Sequence, residues 1–144
     1  MKTITMLLFA LWWGGFTFYA YWVIPVAHMV TGDKIVTGLI TQKVSTIINV
    51  LCALFILSAS IHSFIVKAFI SITRLEKIAL ICLAICLVVL IILHSVMDKL
   101  LPYDTSRVEI RTTFYHYHQV YLWVSTLMWV GGLTWLISKR KSLN

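Results

Sequence analysis

The sequence predicts an all-helical integral membrane protein, a bundle of four transmembrane helices with both termini on the cytoplasmic side. Three observations lead there. Of the 144 residues, 60% are apolar and only 12% are charged, with a mean hydropathy of +0.93, whereas a soluble domain carries about 25% charge. Four stretches, 4–25, 44–66, 78–97 and 112–138, contain no Asp, Glu, Lys or Arg, and each reaches the roughly 20 residues with which a helix crosses the hydrocarbon. The basic residues stand at the ends of these stretches, where they orient a span. Segments so long and continuous are not barrel strands, and in lipid a helix is the form that pairs every backbone group internally.

The length allows one membrane domain, 1–144, whose loops are too short to fold alone. The net charge of +7 does not point to nucleic acid, because the basic residues are scattered singly rather than gathered on a patch. Cys52, Cys82 and Cys86 all fall inside apolar stretches. Cys82 and Cys86 are one helical turn apart, a poor geometry for a disulfide, so they read as small packing residues.

The first helix, 4–25, follows Lys2. It resembles a signal peptide only superficially: no charge interrupts it before Asp33 and Pro25-Val26-Ala27 makes a poor cleavage site, so it reads as a membrane anchor. The loop after it is less plain. Ile35, Val36, Leu39, Ile40, Val44 and Ile47 recur at helical spacing opposite Thr37, Thr41 and Gln42, which fits either an amphipathic turn on the outer surface or an extended start to the second helix, 44–66. The short segment 67–77 then turns the chain into the third helix, 78–97. Pro102-Tyr103-Asp104 marks the next turn, and Ser106 with Glu109 has capping-box spacing, so the fourth helix is expected over 107–138.

Orientation follows from Lys and Arg. One side holds Lys2, Lys67, Arg74, Lys77, Lys139, Arg140 and Lys141 against Glu76 alone; the other holds Lys34, Lys43, Lys99, Arg107 and Arg111 against Asp33, Asp98, Asp104 and Glu109. The first side is the more basic and is assigned to the cytoplasm, in a cytoplasmic-type inner membrane.

Two features single themselves out inside the spans. Trp12-Trp13-Gly14-Gly15-Phe16-Thr17-Phe18 in the first helix and Trp129-Val130-Gly131-Gly132-Leu133-Thr134-Trp135 in the fourth share Trp, Gly, Gly and Thr in register. Gly14, Gly15, Gly131 and Gly132 are expected to let helices approach closely, the main source of packing energy in lipid, so that leucine at Gly14 or Gly15 would disrupt the fold.

The second feature is the histidines. His28, His94, His116 and His118 all approach the outer face, and His62 alone lies near the inner one. His94 and Asp98 share a helical face, where the carboxylate can orient the imidazole or share a metal with it. His116 and His118 project about 200° apart around a helix and do not both aim at one centre. The residues around each leave open which of them faces inward.

Three readings fit this cluster. The first is an interfacial belt of His with Tyr19, Tyr21, Trp22, Tyr103, Tyr115, Tyr117 and Tyr121. The second is haem b held by two histidines from different helices. The third is copper or another transition metal held by His94, Asp98 and one of His28, His116 or His118. A quinone pocket between His118, Tyr115 and Tyr121 has less support. No Asp, Glu, Lys or Arg lies within the charge-free stretches, and no phosphate loop, nucleophile elbow or HExxH pattern is present, so pumps, nucleotide-driven machines and hydrolases have no sequence support.

Gly14-Gly15 with Phe18, Pro25, Gly38 with Ile40, and His116 with His118 resemble a set of uncharacterised four-helix membrane proteins. That set is loosely grouped with the copper-resistance D-type domains and the HemJ type of protoporphyrinogen oxidase. The resemblance covers about half the chain and implies metal handling on the outer side. The HemJ type depends on a histidine early in its first helix, and positions 4–24 here have none, so the oxidase activity does not carry over. The expected function is a small accessory or scaffold subunit, with lipid and other membrane subunits or itself as partners. The alternative is a haem- or copper-binding protein that uses the outer histidines.

Overall fold

The computed structural model describes residues 2–32, 34–65, 73–100 and 108–141. All of its regular structure is helical: α1 Lys2–Phe18, a wide π turn Tyr19–Val23, α2 Ile24–Thr31, α3 Lys34–Ile65, α4 Arg74–Leu100 and α5 Val108–Lys141. Four helices are long and apolar enough to cross a membrane, over Thr3–Thr31, Ile40–His62, Arg74–Leu100 and Thr112–Lys139. The chain divides into two compact units, Met1–Ile72 and Thr73–Asn144. In the first, α1 packs on α3; in the second, α4 packs on α5. The expected cap at Ser106 and the turn at 102–104 lie outside the described residues.

In the first unit α1 and α3 are antiparallel, since Thr5 near the start of α1 meets Ser58 near the end of α3 through a 2.8 Å hydroxyl hydrogen bond. The inward face of α1 is Thr5, Phe9 and Trp12, continued by Tyr19 of the π turn; that of α3 includes Ile48, Cys52, Phe55 and Ala59. Both recur at three- and four-residue steps, the spacing of one helical face. At the centre Trp12 stacks on Phe55, with ring centroids 5.5 Å apart and planes 8° apart, while Phe9 meets Phe55 edge-on at 5.3 Å.

Pro25 explains the π turn. Proline offers no N–H and its ring crowds the carbonyl four residues back, that of Tyr21. The helix widens just before it, and the Ile24 N–H donates to Tyr19 O, five residues back. The widened turn carries Tyr19 inward, where its hydroxyl donates to Thr41 O at 3.1 Å. α2 ends at Gly32, whose φ of 59° is a left-handed conformation and whose N–H closes on His28 O. Beyond it, Thr31 and Thr37 join hydroxyls at 2.8 Å across the corner.

That corner decides between the two readings of the first loop. Residues 34–43 are the first turns of one continuous α3, not a separate surface segment. Thr37 is buried and Thr41 receives Tyr19, so polar side chains sustain the helix where hydrophobicity falls.

The second unit is an antiparallel pair whose seam runs its whole length. On α4 it comprises Glu76, Ala79, Leu83, Cys86, Leu87, Leu90 and Met97. On α5 it comprises Ser125, Met128, Trp135 and Ser138, together with Gly132. This alternation of three and four is the spacing of interlocking helices. A Cβ at Gly131 would stand 3.3 Å from Leu83 Cδ2, so close approach over glycine does occur here. Leucine at Gly131 is expected to cost about 1–3 kcal/mol by overpacking, read as a lower unfolding midpoint in detergent, and Leu83→Ala in the same chain should return part of it.

Gly14 and Gly15 differ. Both are exposed and a Cβ at either meets nothing within 4 Å, because α1 turns Trp12 and not its glycines toward α3. The expected role in helix packing therefore has no counterpart inside the first unit, and leucine at Gly14 or Gly15 leaves that unit's core untouched.

Hydroxyls along the helices mostly bond to their own turns. Thr17 donates to Trp13 O at 2.7 Å, Thr46 to Gln42 O at 3.1 Å, Thr126 to Leu122 O at 2.9 Å and Thr134 to Val130 O at 3.0 Å. Such back-bonding gives each hydroxyl a partner within its own helix. None of the three cysteines is in a disulfide.

Candidate functional site

The seam of the second unit becomes polar at both ends. At its distal end, where α4 finishes and α5 begins, His94 and Asp98 occupy one face of α4, with Nε2 and Oδ1 3.6 Å apart. That separation permits attraction if the imidazole is protonated but exceeds hydrogen-bond length. Across the seam the Tyr121 ring lies 6.3 Å from the His94 ring, tilted by 45°.

The register of the seam separates the two histidines of α5. Counting back from Met128 and Ser125 by helical steps leads to Tyr121 and then His118, which stacks on Phe114 at 6.0 Å with planes 7° apart. His116 falls off that register, on the face shared with Val120 and Trp123, both exposed. His118 is thus the α5 histidine on the side of α4, although it remains exposed, as does His116. His28 belongs to the first unit, exposed in the last turn of α2. Among the described residues no three His, Cys, Asp or Glu side chains gather as a metal-holding group. His94 and Asp98 stand as a pair.

The proximal end holds a residue that sequence reasoning passed over. Glu76 is 1% exposed, and its Oε1 accepts a 2.8 Å charge-assisted hydrogen bond from Lys139 Nζ in the last turn of α5. Glu76 Oε2 is buried with no hydrogen-bond partner among the described residues. The backbone fixes the carboxylate here: Thr73 caps α4, its Oγ1 accepting from the Glu76 N–H at 3.2 Å and its carbonyl from Lys77 N–H. This is half of a capping box, with the carboxylate diverted to Lys139 instead of reaching back to the cap. The Thr73-x-x-Glu76 spacing was the available signal. Glu76 passed for a loop acid because it lies two residues before the charge-free stretch.

The first unit presents a third feature. Trp13, Gly14, Thr17, Phe18, Tyr21 and Trp22 line an open groove on the outward side of α1 and the π turn. Of these, Phe18, Tyr21 and Trp22 are among the most exposed aromatic side chains described, at 62%, 72% and 65%.

No protein-family model, curated protein or solved structure matches the chain.

Proposed function

We propose that the chain is a multi-pass protein of a cytoplasmic-type membrane, with both termini inside, and that it serves as a small accessory or scaffold subunit packing against other membrane helices. The observation that carries this reading is the open face of α1. In α5 the repeated motif packs on α4 through Met128, Gly131, Gly132 and Trp135. The matching positions in α1 are Leu11, Gly14, Gly15 and Phe18, and all four are exposed. One copy of the motif meets Leu83; the other is flanked by aromatic side chains and has no occupant among the described residues. In lipid, helices associate by close packing over small residues, so this face is where a helix from another subunit gains most.

Residence in lipid is supported by the outward rows. Ile47, Val50, Leu54, Leu57 and Ile61 on α3, and Ile78, Ile81, Ile85, Val88 and Ile92 on α4, are each at least 42% exposed. In water such rows exceed the apolar patches that a monomer tolerates; among acyl chains they are solvated. The excess of Lys and Arg on one side supports the orientation.

The test is association. A photo-crosslinker at Phe18, in a chain expressed at its native level and extracted in mild detergent, should capture a membrane partner, whereas the same group at Val88 should not. Gly14→Trp should abolish that capture while leaving the unfolding midpoint of the purified chain within about 0.5 kcal/mol of the parent, as for a surface change. A chain that stays monomeric and crosslinks to nothing at Phe18 refutes the subunit reading.

A haem or copper function has one observation in its favour, the location of His94 and His118 on facing sides of one seam with Asp98 beside His94. A Soret band, or stoichiometric copper in the purified protein, would support it, and the haem form requires His94→Ala to bleach the preparation.

A further inference from the structure

The proximal end of the second unit gathers charge around a buried counter-ion. The Lys139–Glu76 contact of 2.8 Å brings the last turn of α5 to the first turn of α4. Arg74 and Lys77 from α4 therefore share one end of the hairpin with Lys139, Arg140 and Lys141 from α5, against the single acid Glu76. That acid is 1% exposed, so its charge is committed inside the seam. Lys139 is partly exposed, with 19% of its side chain accessible. Its ammonium has three donors, and among the described residues one of them is engaged, by Glu76. Arg74 is exposed.

The length of α4 locates this end. Its 27 residues rise about 40 Å at 1.5 Å each, close to the roughly 40–45 Å of a bilayer that includes its headgroup layers. A hairpin whose sides are rows of isoleucine, valine and leucine thus brings Arg74 and Lys139 to the depth of lipid phosphates.

We propose that this end is a binding surface for anionic phospholipid headgroups, whose phosphate oxygens are taken by Arg74 and by the free donors of Lys139. The inference rests on the membrane reading above but adds a ligand to it. The ligand is lipid rather than an acidic protein segment, because the surface is continuous with acyl-facing rows and lies at their end. Each basic residue at such a surface is worth about 5-fold in binding.

The experiment uses the full chain, delipidated in detergent and offered equal amounts of phosphatidylglycerol and phosphatidylcholine with the same acyl chains. Lipid retained through size-exclusion chromatography is then quantified by mass spectrometry. Phosphatidylglycerol should be retained in preference, and Arg74→Gln should lower that preference by about 5-fold. Lys99→Gln with Arg111→Gln, at the opposite end, should leave it unchanged. Millimolar inorganic phosphate should fail to displace the lipid.

Equal retention of the two lipids by the folded chain overturns the proposal, as does an equal loss from the distal pair or displacement by free phosphate. The membrane reading fails separately and visibly: the chain would leave cell membranes in alkaline carbonate and stay dispersed without detergent.

Discussion

Replacing Lys139 with methionine is expected to destabilise the α4–α5 hairpin by about 3–5 kcal/mol, the cost of leaving a buried carboxylate without its counter-charge. Glu76 is 1% exposed and Lys139 Nζ is the one partner of its Oε1 among the described residues, at 2.8 Å, so removing the ammonium strands a charge that water does not reach. The pair itself contributes much less than this figure, because both groups were desolvated to make it. Glu76→Leu combined with Lys139→Met should therefore recover most of the loss. The comparison is made by unfolding each variant in the same detergent. If the double variant falls as far as the single, the defect is one of side-chain packing and the electrostatic account is wrong.

Trp12→Ala should be the most damaging apolar truncation in the first unit, at about 3 kcal/mol. Large aromatic-to-alanine changes in packed cores cost about 3–5 kcal/mol through lost contacts and the cavity left behind. The lower end applies under the proposed membrane location, where lipid tails are as apolar as the core and the transfer part of the loss shrinks. Trp12 is 1% exposed and stacks on Phe55, so nothing small refills the space. Trp12→Phe should cost far less, since it keeps a ring on Phe55 and removes an indole N–H that is buried with no acceptor among the described residues. Trp123→Ala is the control: at 77% exposure it should change the unfolding midpoint little. A large loss at Trp123 and a small one at Trp12 would show that the helix pair is held by a different face.

The four long apolar helices were legible in the sequence because absence of charge over about 20 residues is the length and composition of a helix able to cross a membrane. Their ends were less so. α3 begins at Lys34, ten residues before its charge-free stretch, an extension that the apolar spacing from Ile35 to Ile47 offered as one of two readings. What sustains those turns is the hydroxyl of Tyr19 on Thr41 and that of Thr31 on Thr37, contacts that exist only once the corner is folded.

Which face of a helix is used was also hidden. The glycine motif reads alike in the first and fourth helices, yet α5 buries Gly132 and Trp135 while α1 exposes Gly15 and Phe18 and buries Trp12 instead. A repeated motif specifies an available surface, and the partner helix decides whether that surface is taken. His116 and His118 were inseparable for the same reason, until the buried stripe through Ser125 and Met128 supplied the phase. Glu76 was hidden differently: a carboxylate beside a span looks like a loop residue until a cap starts the helix before it.

The wide turn at Tyr19–Val23 acts on the rest of its helix like a vernier. A π turn accommodates one residue more than an α turn, and one residue is about 100° of rotation. The segment Lys2–Phe18 and the segment that begins at Ile24 are therefore set by separate constraints, one by the aromatic stack on Phe55 and the other by the corner at Gly32. A helix without the slip would satisfy one of these and turn the other toward the wrong neighbour. Pro25, which looks in the sequence like the end of a span, is thus the fixed point at which two otherwise incompatible alignments are reconciled within one continuous helical run.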